Sequence, residues 1–179
     1  MGCDIHCYIE EKREDGRWHQ LGLWIKDRET GKMKEVDFFT DRCYPLFGIL
    51  AGVRSCATPI DTPRGLPADL SVEVAEKYAD GDEWWHDATW YDYRELISYI
   101  KGRKAGMFIV DEMTKFVEEK AEAEEEDTEA YLVLEGVQEE NEEFDALKGF
   151  VAAIDDLLEK HGIYYPKFGQ IRVTMWFDS

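Results

Sequence analysis

Asp4 and His6 are the first residues whose types and spacing could do chemistry. On a β-strand, residues two apart project from one face with backbones roughly 7 Å apart. A carboxylate and an imidazole so placed can reach one metal ion or one substrate phosphate. Trp85-His86-Asp87 offers a second imidazole and carboxylate far along the chain. If the fold joins the two pairs, Asp4, His6, His86 and Asp87 form a candidate set for a divalent metal, and His6 and His86 become candidate catalytic acid/base groups. Arg42, Arg54 and Arg64 flank an apolar stretch and a Pro/Gly-rich loop. A guanidinium fork makes paired hydrogen bonds to phosphate or carboxylate, so these arginines are candidates for an anion clamp. Trp84, Trp85, Trp90, Tyr91 and Tyr93 crowd one stretch, where Trp85, beside His86, could stack on a ring. The candidate ligand-binding set is therefore Asp4, His6, Arg54, Arg64, Trp85 and His86. Each has a plainer alternative: a solvated sheet face for Asp4 and His6, loop carbonyls for His86, a nearby acid for any one arginine. The chain holds no Gly-rich phosphate loop, GxSxG, zinc-finger spacing or HExxH.

The elements that must position these residues read as α+β. Cys3, Ile5, Cys7 and Ile9 alternate with Asp4, His6, Tyr8 and Glu10, a period-two strand. Asp15-Gly16 supplies a turn, and 18–25 returns as a second strand of the hairpin. Thr30-Gly31 marks another turn before 32–39. Leu46, Ile49, Leu50 and Val53 form a helical stripe behind Pro45, and Ser71 caps a helix over 72–79. Thr89 followed by Asp92 predicts a capping box opening a helix that carries Trp90, Tyr93, Leu96, Ile97 and Ile100. A further helix is expected from 108–117. The stripe Phe144, Leu147, Val151, Ile154, Leu157 and Leu158 predicts another, stopped at Gly162. Ile171 to Phe177 alternates as a last strand, expected to pair with the N-terminal hairpin. The implied fold is one domain over 1–179: an antiparallel sheet of the hairpin and the C-terminal strand, with helices packed on one face.

Composition narrows the function classes. The 179 residues carry 40 acids against 21 Lys and Arg, a net charge of −19. Between Asp111 and Asp145 stand 16 acids and two bases, a local −14, while the remainder is nearly neutral at −5. That segment reads as inserted or variable. The acidity argues against direct binding of nucleic acid or anionic membrane. No stretch has the length and apolarity of a bilayer span, and no secretory signal is apparent, so a cytoplasmic protein is expected. The four cysteines lack a CxxC pair and read as free thiols.

Several stretches also carry a resemblance: MGCDIH at the start, YPLFGILAGVR over 44–54, PRGLP with Ser71 close behind, HDATW before YREL, and the terminal RVTMWFD. Together they are similar to an uncharacterised family of small phage and prophage proteins that open with the MGCDIH signature. The resemblance implies that Asp4, His6, Arg54, Arg64, Gly65 and His86 are motif positions facing one cleft. It also implies a phage context, in the host cytoplasm, where accessory proteins counter host defences. The leading expectation is an accessory protein that binds a phosphorylated or nucleotide-like ligand in a polar cleft. A second is a metal-dependent phosphoesterase using Asp4, His6, His86 and Asp87. A third is an interaction protein whose acidic 111–145 face blocks a nucleic-acid-binding partner, such as a host protein. Cofactor identity stays open, with a divalent metal as one option.

Overall fold

The last strand of the chain is the middle of its sheet. The computed structural model describes residues 2–54, 58–81, 84–102 and 128–178, and of 128–141 only the helical course. In chain order the elements are β1 (Asp4–Lys12), β2 (Trp18–Gln20), β3 (Leu23–Lys26), β4 (Met33–Val36), α1 (Tyr44–Ala51), α2 (Val72–Ala79), β5 (His86–Asp92), α3 (93–102), α4 (Thr128–Lys160) and β6 (Ile171–Asp178). Four strands form an antiparallel sheet in the order β2-β1-β6-β5, and β3 and β4 form a separate two-stranded sheet. The fold is α+β, and β6 pairs with β1 as its alternation predicts.

One face of the sheet is apolar. Ile5, Cys7 and Ile9 of β1, Val173, Met175 and Phe177 of β6 and Tyr91 of β5 pack against α1, α3 and α4. The helices bring Leu46, Phe47 and Leu50, then Leu96 and Ile100, then the Leu147 to Leu158 stripe. Tyr91 donates its hydroxyl to the Leu50 carbonyl at 2.6 Å, and Tyr93 donates to Asp155, tying β5 and α3 to their cover. Pro45 sits in the first turn of α1, where its missing N–H costs nothing. Ser71 caps α2 by accepting the Val74 N–H. The other face is roofed by the short α2: Tyr8 and Trp176 pack with Val74, Tyr78 and Trp85.

Two expectations shift. The second hairpin strand, expected over 18–25, divides: Leu21 turns into the core, its N–H bonded to the Ile9 carbonyl, and the chain then leaves for the second sheet. Gly22, between the two strands, lets the Trp24 indole come close: a Cβ there would lie 2.6 Å from its nitrogen. Residues 86–92 form a strand, and the capping box stands three residues later than Thr89-Asp92. Asp92 accepts the Arg94 N–H at 2.7 Å while Glu95 accepts the Asp92 N–H at 2.9 Å. An irregular register between His86 and Thr89 breaks the period of this strand, with Asp87 at a φ of 48°, so simple alternation does not reveal it. The helix expected over 108–117 lies outside the described residues. The acidic segment 111–145 does too, apart from the course of α4 and the side chains from 142 onward.

Candidate functional site

Strand register builds a polar face. Antiparallel partners point the same way, and β1 meets β6 with Asp4 opposite Asp178, His6 opposite Trp176, Tyr8 opposite Thr174 and Glu10 opposite Arg172. β5 adds Trp90 opposite Thr174 and Asp92 opposite Arg172. The polar phases of three strands therefore coincide, and each end of this face carries a constellation.

At the His6 end, Asp178 bridges the two outer residues. One oxygen lies 3.2 Å from His6 Nε2, and the other accepts the Asp4 N–H at 3.0 Å. Arg42 grips the Asp4 carboxylate through Nε and Nη2, at 2.5 and 2.8 Å, and holds its carboxyl below the usual range. The His6 ring stands 5.3 Å from Trp85 and 6.0 Å from Trp176. Asp4, His6, Tyr8, Asp37, Thr40 and Asp178 line a cleft of about 260 Å3. Arg54 comes to the buried Cys3 thiol, where burial pushes the thiol up and the guanidinium opposes it. Trp85 is half-buried among Tyr78, Trp176 and His6, and its ring lies so close over Gly81 that a Cβ there would come within 2.0 Å.

The remaining expected residues stand apart from this cluster. His86 pairs with Phe177 across the ladder and stacks on it at 6.3 Å, which puts it on the opposite face from His6; its Nδ1 contacts Asp87 at 2.7 Å. Asp4 and His6 therefore do not meet His86 and Asp87. Among the described residues no three His, Cys, Asp or Glu side chains are grouped to hold a metal ion. The expected metal set, and the catalytic pairing of His6 with His86, are not assembled. The cause is register: His6 pairs with Trp176 and His86 with Phe177, and these successive residues of β6 point to opposite faces. Arg64 is also occupied. It reaches Glu95 at 2.9 and 3.3 Å and Asp61 at 3.1 Å, and it lies 4.9 Å from the Tyr91 ring. Its fork is filled inside the protein, so Arg54 and Arg64 do not form one anion clamp. Among the described residues no helix is long and apolar enough to cross a membrane.

The other end of the polar face has the larger cleft, about 540 Å3, and of the expected residues none lines it. Its floor is Arg172, 2% exposed. Arg172 Nε and Nη2 donate to the Glu10 carboxylate at 3.0 and 3.2 Å, and Nη1 donates to Asp69 at 2.6 Å. Glu10, fully buried, also accepts the Thr174 hydroxyl at 2.6 Å and the Ser71 N–H at 2.9 Å. Glu10 and Arg172 are thus paired and hydrogen-bonded, the condition under which burial of charge is tolerated. Trp18, Trp90 and Phe168 are the aromatic residues of the lining, and Asp69, Asp92 and Glu95 its acids. Trp18 donates its indole N–H to Asp69 at 2.8 Å.

Cations and indoles alternate through this region. Arg64 lies 5.2 Å from the Trp90 ring, Arg172 6.0 Å from Trp90 and 4.0 Å from Trp18, and Lys12 5.6 Å from Trp18. Burial sets desolvation against the Asp69 carboxylate, but Arg172 and the Trp18 N–H outweigh it and hold the carboxyl below its usual range. Asp92 is the reverse: burial pushes it up in spite of the backbone donors from Gly169 and Arg94. The signal that could have found this end is the opposite charge of Glu10 and Arg172 in the polar phases of the first and last strands. No family model, curated protein or solved structure matches the chain.

Proposed function

We propose that the protein binds a small nucleotide-like molecule, with the ligand's flat ring in the cleft at the Arg172 end. The observation that carries this reading is a 540 Å3 cleft with Trp18, Trp90 and Phe168 in its lining above a buried, fully paired floor. That size falls within the range of small-molecule sites, which combine apolar walls with a few fixed polar groups. Stacking on an aromatic side chain contributes roughly 1–3 kcal/mol per base. Walls held by Arg172, Asp69 and Glu10 need little ordering on binding, which favours affinity. Lys12, in the lining, makes no ion pair among the described residues and is the cation left to meet a phosphate on the ligand. The three carboxylates disfavour a phosphate deeper in. In the phage context that the sequence resemblance implies, such a protein acts in the host cytoplasm as an accessory factor, sequestering a nucleotide signal of host defence.

Titration calorimetry of the full chain against a panel of nucleosides and their monophosphates tests the reading. Saturable binding is expected, weakened about tenfold or more by Trp18→Ala and within about twofold of wild type in His6→Ala and Arg54→Ala. Absence of binding across the panel sinks it. Loss in His6→Ala with retention in Trp18→Ala moves the ligand to the other end of the face.

A further inference from the structure

Resting on that cleft reading, we infer that the ligand's ring is positively charged: the site fits an N-alkylated or protonated nitrogen heteroaromatic better than its neutral isostere. The geometry turns on Asp92, which lines the cleft and is 5% exposed. One of its oxygens accepts the Arg94 N–H at 2.7 Å and the other accepts the Gly169 N–H at 2.6 Å. Its neighbours all have cations: Glu10 and Asp69 share Arg172, and Glu95 and Asp61 share Arg64. Asp92 forms no ion pair among the described residues, although its place in the ladder is directly opposite Arg172. The helix start and the two backbone donors answer its hydrogen-bonding needs, while its charge, repelled by Glu95 and attracted through space by Arg94, makes no side-chain ion pair among the described residues.

The walls point the same way. Trp18 and Trp90 already draw the protein's own cations to within 4.0 to 6.0 Å of their rings, so they act here as cation-binding surfaces. A flat cation stacked in the cleft gains that attraction and gives Asp92 an ion-pair partner. A neutral ring of the same shape buries the same area and gains neither. Burial holds the Asp92 carboxyl above the ordinary range, with Glu95 adding to the rise and Arg94 opposing it.

The test compares matched pairs on the full chain by calorimetry and tryptophan fluorescence: 7-methylguanosine against guanosine, and 1-methylnicotinamide against nicotinamide. The charged member of at least one pair is expected to bind about tenfold tighter or more. Asp92→Asn retains a side-chain acceptor for the helix cap. It is expected to bring charged and neutral rings to within about twofold of each other; both affinities are read in the same variant, so a shift common to the two from the lost Gly169 contact cancels in the ratio. Equal affinity for charged and neutral rings in wild type overturns the inference and leaves the cleft reading standing. Failure of every ring, in this set and in the nucleotide panel, removes both. An undiminished preference in Asp92→Asn, with circular dichroism showing a folded variant, overturns the role of Asp92. If the variant does not fold, the wild-type pairs still decide.

Discussion

The two ends of the polar sheet face use the same side-chain types to opposite effect. At the His6 end, Asp4, Arg42, Asp178 and His6 form a chain of contacts that remains partly open to solvent. At the Arg172 end, Glu10, Arg172 and Thr174 are buried, with the loop before α2 bonded to the first two, and every polar atom of the Glu10 carboxylate has a donor. Exposed pairs contribute little because water screens them and long side chains lose freedom in forming them. A sealed pair is costly to break, because the survivor keeps a buried charge without its partner. The lesson is that the more conspicuous motif, Asp4-Ile5-His6, lies at the softer end. The rigid end is spelled by residues that look unremarkable singly. Rigidity is what a binding site needs, since walls already in place lose no freedom when a ligand arrives.

The sharpest way to break this comparison is Arg172→Ala. It strands Glu10, and a loss of about 3–5 kcal/mol in urea unfolding is expected; a loss below about 1 kcal/mol would mean that water reaches the floor and the end is not sealed. Trp18→Ala comes next, costing roughly 1–3 kcal/mol of ring binding by calorimetry. A smaller loss of stability accompanies it, as Asp69 gives up its indole donor. Arg42→Ala at the softer end is expected to leave the urea midpoint nearly unmoved, since the pair it breaks is exposed. A large drop there would reverse the ranking of the ends.

The smallest effect is in pH dependence, where Asp92 and Asp4 differ in sign. Asp92 is raised by burial, so the folded state keeps its proton to higher pH than the unfolded chain does. Its contribution is favourable in acid and is lost as pH rises through the folded value. Asp4 is lowered by its hydrogen bond from Arg42, so its contribution is present above the unfolded value and lost as pH falls through the folded one. Asp69 follows Asp4 in sign. Unfolding curves of Asp92→Asn and Asp4→Asn across the acid range should depart from wild type in opposite directions. Departures of the same sign would show that one of the two environments is wrongly described.

Local signals made much of the fold legible. Period-two alternation marks β1 and β6, the stripe from Phe144 to Leu158 marks the C-terminal part of α4, Pro45 opens α1 and Ser71 caps α2. These are contests between neighbouring residues, settled by backbone geometry and side-chain periodicity within a turn or two. β5 stayed hidden because its irregular register shifts the alternation midway, and β2 parts from β3 because Leu21 is claimed by the core. Of the candidate site, Asp4, His6 and Trp85 converge, and Arg54 comes to Cys3 at the same end, while His86 and Arg64 are drawn elsewhere by Phe177 and Glu95.

The amino-acid sequence by itself determined an acidic α+β chain, the elements with clean periodicity, and a polar phase on each of the two terminal strands. Only the tertiary structure decided that those phases share one face, that Glu10 meets Arg172 across 162 positions, and that Asp92 is buried without an ion pair among the described residues. The physical reason is that a strand's own pattern sets which side chains alternate, whereas the register between strands sets which of them meet. A shift of one residue in that register would have sent every polar side chain to the opposite face.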